Sequence, residues 1–115
     1  MLRGNIHWVE PGPGAPGEAS FRRPGVVVSH NGANASASRG GRGMVTVLPV
    51  TTNIAVLHRF QVLLSASECG LHENSKAQIE QIRSISAARI GPRIGTVPPH
   101  VMRQIDDALR IHLAL

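Results

Sequence analysis

SFRRPGVVVSH, residues 20–30, is the stretch whose reading decides the fold. Val26, Val27 and Val28 form an unbroken apolar run with turn signals on either side. Such a run reads as a strand buried on both faces or as part of a strongly bent sheet. Pro24 cannot donate to a ladder, so it belongs at the first residue of that strand or on a sheet edge. Arg22 and Arg23 stand immediately before it, two permanent charges pinned to the start of a rigid element.

Working outward, NIHWVE gives an earlier strand, Asn5 to Glu10. PGPGAPGEAS, residues 11–20, carries too much proline and glycine for a regular element and reads as loop. HNGANASASRGGRG, residues 30–43, is small and polar. It reads as a long flexible loop, of the kind used as a lid or binding loop, with Arg39 and Arg42 free to reach phosphate. MVTVLPVTT supplies a strand over Met44 to Val50, where Pro49 is expected to stop ladder bonding and leave Thr51 and Thr52 at the exit. FQVLL, Phe60 to Leu64, is a further strand. Ser75 to Ile85 reads as one long bent strand or as two with a kink, and Arg93 to Val97 as the last strand. From Pro99 to Leu113, Val101, Ile105, Ala108 and Leu109 recur at helical spacing, with proline suited to the first turn. Asp106 and Arg110 stand at the spacing of a favourable helical ion pair. Many short strands and one closing helix predict a mainly β domain over residues 1–115, a small barrel or strongly curved sheet capped by the helix.

Charge narrows the function. The 115 residues carry a formal net charge of +5 and a pI of about 11.4, which favours a polyanionic partner, nucleic acid first. Lys76 is the only lysine; the other cations are arginines. Arginine forks onto phosphate at two points, although a GC-rich genome also produces lysine scarcity. Aromatics are only 3%, with Trp8, Phe21 and Phe60 scattered along the chain. That is a poor stacking platform, which argues against a cold-shock-like single-strand binder.

Cys69 is alone, so no intrachain disulfide forms and a reducing cytoplasm fits. The same cysteine reads as an inert small hydrophobe or a surface thiol. No signal peptide or membrane span is visible. Histidines at 7, 30, 58, 72, 100 and 112 lack metal-ligand spacing, so neither a metal nor a cofactor is expected.

Three polar clusters remain at strand ends: Arg22 and Arg23, then Thr51, Thr52 and Asn53, then Glu80, Gln81 and Arg83. In a small barrel they could converge on one groove. Arginine stays protonated at any physiological pH, and a threonine hydroxyl can donate to a phosphate oxygen. Together they suit a site where negative charge grows on phosphorus. A general base is not evident; His30, His58 or a water could serve.

The order of motifs resembles the MazF/PemK toxins, the ribonuclease half of bacterial toxin–antitoxin pairs. RGNIHWVE is similar to the family's opening strand with its Trp8, and GEASFRRPGVVVS to its Arg-Pro signature. VLPVTTN is similar to the Pro-x-Thr segment, NSKAQIEQIRSI to the late strand, and RIGTVPPHVMRQIDDALRIHLAL to the closing strand and helix. The resemblance implies an SH3-like β-barrel with a terminal helix, working as a homodimer. It implies metal-independent cleavage of single-stranded RNA at short sequences through the 2′-hydroxyl. It also implies neutralisation by a cognate MazE-like antitoxin through a disordered C-terminal tail laid along the dimer; a basic groove rimmed by Arg22, Arg23, Arg39 and Arg42 asks that this tail be acidic with apolar anchors.

Carried over by position, Arg23 and Thr51 are the catalytic pair. Glu18, Glu80, Gln81 and Arg83 contact substrate, with Arg22, Thr52 and Asn53 beside them. The chain departs from the pattern at Gly17, where a serine is common, at His30, and at His58-Arg59-Phe60, where relatives read Tyr-Pro-Phe. These departures bear on cleavage sequence and activity. The rival readings are a CcdB-like toxin of the same fold directed at DNA gyrase, a non-catalytic RNA-binding barrel, and a decayed toxin that only binds its antitoxin. The gyrase-directed relative lacks the Arg-Pro and Pro-x-Thr pair present here.

Overall fold

A computed structural model describes residues 1–10 and 22–115. The loop expected over residues 11–20, with Gly17 and Glu18, lies outside the described residues. Seven strands form one antiparallel sheet: β1 (Asn5–Val9), β2 (Arg23–Val27), β3 (Met44–Thr51), β4 (Gln61–Leu64), β5 (Ser75–Gln78), β6 (Arg83–Ser86) and β7 (Ile90–Thr96). Three helices accompany them: α1 (Asn31–Gly40), α2 (Ala66–Cys69) and α3 (Pro99–Leu113). The strand order is β4-β5-β3-β2-β1-β7, with β6 paired to β3. The mainly β architecture with a closing helix is as expected. The word barrel fits only loosely, because the path has two ends, β4 and β7, and no ladder joins them among the described residues.

The valine run is buried on both faces, one of the two readings its pattern allows. Val26 and Val28 enter the main core with Ile6, Leu48, Val50, Ile79 and Ile105, while Val27 points the other way into a second cluster with Ala37, Val45, Val47 and Ile85. β2 lies between β1 and β3, so Pro24 is the second residue of a central strand and not an edge. It is tolerated because the β2–β3 ladder begins only at Gly25, so the missing N–H leaves no gap in it.

Pro49 also departs from expectation. β3 continues through it, pairs it with Gly25, and runs to Thr51. The Thr46 carbonyl accepts from the Val28 N–H, so by alternation Pro49 turns its main chain to the opposite edge of β3. There the strand changes partners: Met44 to Val47 pair with β6, whereas Val50 and Thr51 pair with β5. The residues between those ladders coil into the 3₁₀ turn Ile79–Gln81. The 75–85 stretch is therefore two strands with a kink, and the kink stands where proline offers no donor.

The largest departure is residues 30–43. The segment is not an irregular loop but holds α1. His30 accepts the Ala33 N–H at 3.2 Å as an N-cap, and Gly41, at φ 64°, closes the other end through its N–H to Ser38. Asn34 is fully buried and donates to the Ser29 carbonyl at 2.9 Å, while Ser29 Oγ accepts from the Thr46 N–H at 3.0 Å. Small side chains let the helix lie close: a Cβ on Gly43 would meet Ala37 Cα at 2.4 Å. α1 thus covers the second face of the sheet, and this is how Val27 comes to be buried.

Helix α3 spans Pro99–Leu113 as its period predicts and buries Val101, Ile105 and Ala108. The ion pairs differ from the expected one. Asp106 accepts from Arg3 at 2.6 Å, and Arg110 pairs with Asp107 at 3.1 Å. The short α2, capped by Ser65, had no counterpart in the sequence pattern. It carries Cys69, which is 2% exposed. Burial pushes the Cys69 thiol above its ordinary value and the Glu68 charge adds to this, so it stays protonated and unreactive, as read from the sequence.

Candidate active site

Arg23 opens β2 and pairs with Val9 of β1. The β2–β3 register sets Gly25 against Pro49 and Val27 against Val47. The ladder ends at Gly25 and Pro49, and the same register carried two residues further leads toward Arg23 and Thr51. Both belong to the face of Val27 and Val47, since residues two apart share a face. They stand at the end of that face away from α1, and the Arg23 side chain is exposed to solvent. Thr51 pairs on its other side with Lys76 of β5. Arginine, threonine and lysine thus stand toward one end of three neighbouring strands, with threonine and lysine directly paired.

The Thr51 hydroxyl is oriented by its own chain. Its Oγ1 accepts the Asn53 N–H at 3.2 Å, which leaves its hydrogen to donate. Asn53 Oδ1 in turn accepts the Ala55 N–H at 3.4 Å. Thr52 and Asn53 are exposed and begin the loop between β3 and β4, next to Thr51.

Arg22 parts from Arg23. Its guanidinium lies 4.7 Å from the Trp8 ring centroid and 3.9 Å from Glu10 Oε1. This gives the opening strand's tryptophan a task that strand patterning does not show: it holds Arg22 by a cation–π contact.

The late-strand cluster divides. Glu80 is half-buried in the 3₁₀ turn, and Gln61 donates to both of its oxygens, at 3.1 and 2.9 Å. Gln61 Oε1 accepts the His58 N–H at 3.1 Å, so Glu80, Gln61 and the end of the β3–β4 loop form one brace. Gln61 was not among the sequence candidates, and a partner nineteen residues away along the chain gives no local signal. Gln81 and Arg83 are exposed. Arg83 pairs with Val47 and shares the face of Thr51, about 13 Å farther along β3 by strand rise.

Arg42 precedes the start of β3 while Thr51 ends it, a separation of about 23 Å by strand rise. Arg39 is on α1 at that same far end. Within one chain these two arginines do not rim the Arg23–Thr51 site. His30, which caps α1 beyond the other end of β2, is also remote from Arg23. His58 stacks on Phe60 with centroids 5.9 Å apart and lies in the loop that follows Thr51, so the two histidine candidates for a base are separated by geometry. No group of three or more metal-ligating side chains occurs among the described residues. Nor is any helix among them long and apolar enough to cross a membrane.

Comparison with known proteins gives the family. The chain is 51% identical to Endoribonuclease MazF9 of Mycobacterium tuberculosis over 115 residues, covering 100% of this chain and 98% of the relative. It is 26% identical over 115 residues to Endoribonuclease EndoA of Bacillus subtilis, covering 96% of it. Among solved structures, MazF from Deinococcus radiodurans superimposes with a TM-score of 0.75 at 23% identity, covering 100% of this chain and 97% of that one. The family described as PemK-like, MazF-like toxin of type II toxin–antitoxin system matches residues 2–113. Matched over nearly its whole length, this chain belongs to the PemK-like, MazF-like toxin family.

Proposed function

We propose that the protein is a sequence-specific endoribonuclease that cuts single-stranded RNA without a metal ion. The 2′-oxygen of the nucleotide before the cut forms a bond to phosphorus and the bond to the 5′-oxygen breaks. The products are a 2′,3′-cyclic phosphate and a 5′-hydroxyl end. The 2′ proton passes to a base, and a proton is delivered to the leaving 5′-oxygen. Arg23 supplies its fork to the phosphoryl oxygens as negative charge builds there. Thr51, with Oγ1 already accepting from Asn53, donates its hydrogen to the same group. Thr52, Asn53, Gln81 and Arg83 are exposed where an extended strand of RNA could cross the face, and Arg22 on Trp8 offers a cation beside it. Glu80 acts through Gln61 to hold the β3–β4 loop.

The observation that carries this reading is the β2–β3 register, which runs toward Arg23 and Thr51 at the ends of neighbouring strands, in a chain 51% identical to a relative named as an endoribonuclease. Residues 1–115 act as one cytoplasmic domain, paired as a homodimer and neutralised by a cognate MazE-like antitoxin. A mycobacterial endoribonuclease of the same fold has been solved with its cognate antitoxin. Incubation with a long RNA in excess EDTA tests the chemistry: cleavage at discrete sites is expected at the same rate as without chelator. A strict need for added Mg²⁺ or Mn²⁺ would mean that Arg23 and Thr51 do not suffice.

A further inference from the structure

We infer that Lys76 is a second cation of the RNA site, contacting the phosphate from the side of Thr51 opposite to Arg23. The inference rests on the endoribonuclease reading and adds a residue that the family resemblance did not supply. Lys76 is the chain's only lysine, and it is 7% exposed although it lies in a strand. It stands directly across from Thr51. Directly opposed residues project from the same face with Cβ atoms about 5 Å apart, so lysine and threonine leave the sheet side by side.

Among the described residues the ammonium has one partner, the Val56 carbonyl at 2.5 Å. Among the described residues no carboxylate pairs with it. An ammonium withdrawn from water costs free energy unless a negative charge answers it. Its neighbours on the adjoining strands explain what would answer it. On one side is Thr51 with a free hydrogen, then Arg23; on the other is Leu63 of β4, which is apolar. An anion that arrives over Thr51 meets a hydroxyl donor rather than an apolar side chain, and the proposed reaction puts a phosphate there. The bond to Val56 places the ammonium beneath the loop that carries Thr52 and Asn53, so RNA binding and loop position share one group. A point charge beside a fork divides the work: Arg23 fixes orientation, and Lys76 adds charge without demanding geometry.

Charge and tether are separable by substitution. Lys76→Gln keeps an amide donor toward Val56 and removes the charge; Lys76→Met removes both. Cleavage of a long RNA is measured for wild type and both variants. Binding of a fully 2′-O-methylated copy, which cannot be cut, is measured against salt concentration. Both variants are expected to unfold cooperatively on heating and to lose about 10²-fold in kcat. The slope of log affinity against log salt is expected to become shallower by about 0.7, the value for one phosphate of a single strand. Wild-type cleavage and an unchanged slope in Lys76→Gln would overturn the inference and leave Lys76 a loop tether only. Rescue by glutamine but not by methionine would overturn it in the same way. If the wild type binds RNA without cutting it, the endoribonuclease reading fails, and the slope still decides whether Lys76 meets a phosphate. If the wild type binds no RNA, both fail.

Discussion

Replacing Arg23 with alanine is expected to reduce RNA cleavage by about 10²–10³-fold or more while leaving the fold intact, the cost of removing one preorganised donor from developing charge. Arg23 is exposed and contributes to neither apolar cluster, so its loss removes charge without opening a cavity. Arg23→Lys is expected to fail as well. A lysine keeps the charge but offers a single point where the arginine offers two parallel N–H donors in a rigid plane. Pro24 fixes the backbone φ just after it, and the valine run anchors the strand in two cores. The arginine is therefore aimed by elements that a lysine would inherit, and only the fork changes between the two. The check is a single-turnover cleavage assay beside circular dichroism. Activity near wild type in either variant, with the fold confirmed, would remove Arg23 from the mechanism.

The largest expected effect on stability is at Ile105. It is fully buried on the inward face of α3 and packs in the cluster that holds Ile6, Leu48 and Ile79. Ile105→Ala removes three carbons where neighbours on two layers cannot collapse to fill the space, so about 2–5 kcal/mol of unfolding free energy should be lost. For a domain of this size that is a large share of the whole. Ile79 belongs to the 3₁₀ turn that carries Glu80, so the same cavity loosens the floor under the Glu80–Gln61 brace. Urea unfolding should show a lower midpoint with an unchanged slope. A slope change would mean that the native state had loosened as a whole.

Much of this was legible in the chain. The valine run announced a strand with two covered faces or in a strongly bent sheet, and the 3.6-residue period of α3 gave its span. The kink in residues 75–85 was visible as a choice between one bent strand and two. What escaped was structure stabilised by distant partners. α1 is built from alanine, serine, glycine and asparagine, residues that read as loop when taken alone. It forms because His30 caps it, Asn34 finds Ser29, and Ala37 fits against Gly43 and the sheet. Pro49 looked like a terminator because only its lack of a donor was visible. The β6-to-β5 change of partner, which makes that lack harmless, is a fact of tertiary register.

The site divides in the same way. Arg23 and Thr51 could be named because motifs in order carry them, but their place at the ends of neighbouring strands needs the β2–β3 register. Arg39 and Arg42 were grouped with them by charge alone, and the length of β3 keeps them apart. Gln61 left no trace, being bonded across nineteen residues; Lys76 stood out as the only lysine, but nothing in the sequence set it across from Thr51.

The central claim is that this sheet face cuts RNA through the RNA's own 2′-hydroxyl, with Arg23 and Thr51 on the phosphate. Its most direct test is the chemistry of the ends left on a long RNA cut in EDTA, examined for wild type and Thr51→Ala. A 5′-hydroxyl on the downstream fragment and a cyclic phosphate on the upstream one, lost together with the cuts in the threonine variant, is the predicted result. A 5′-phosphate with a 3′-hydroxyl, or the same cuts at the same rate without Thr51, would contradict it.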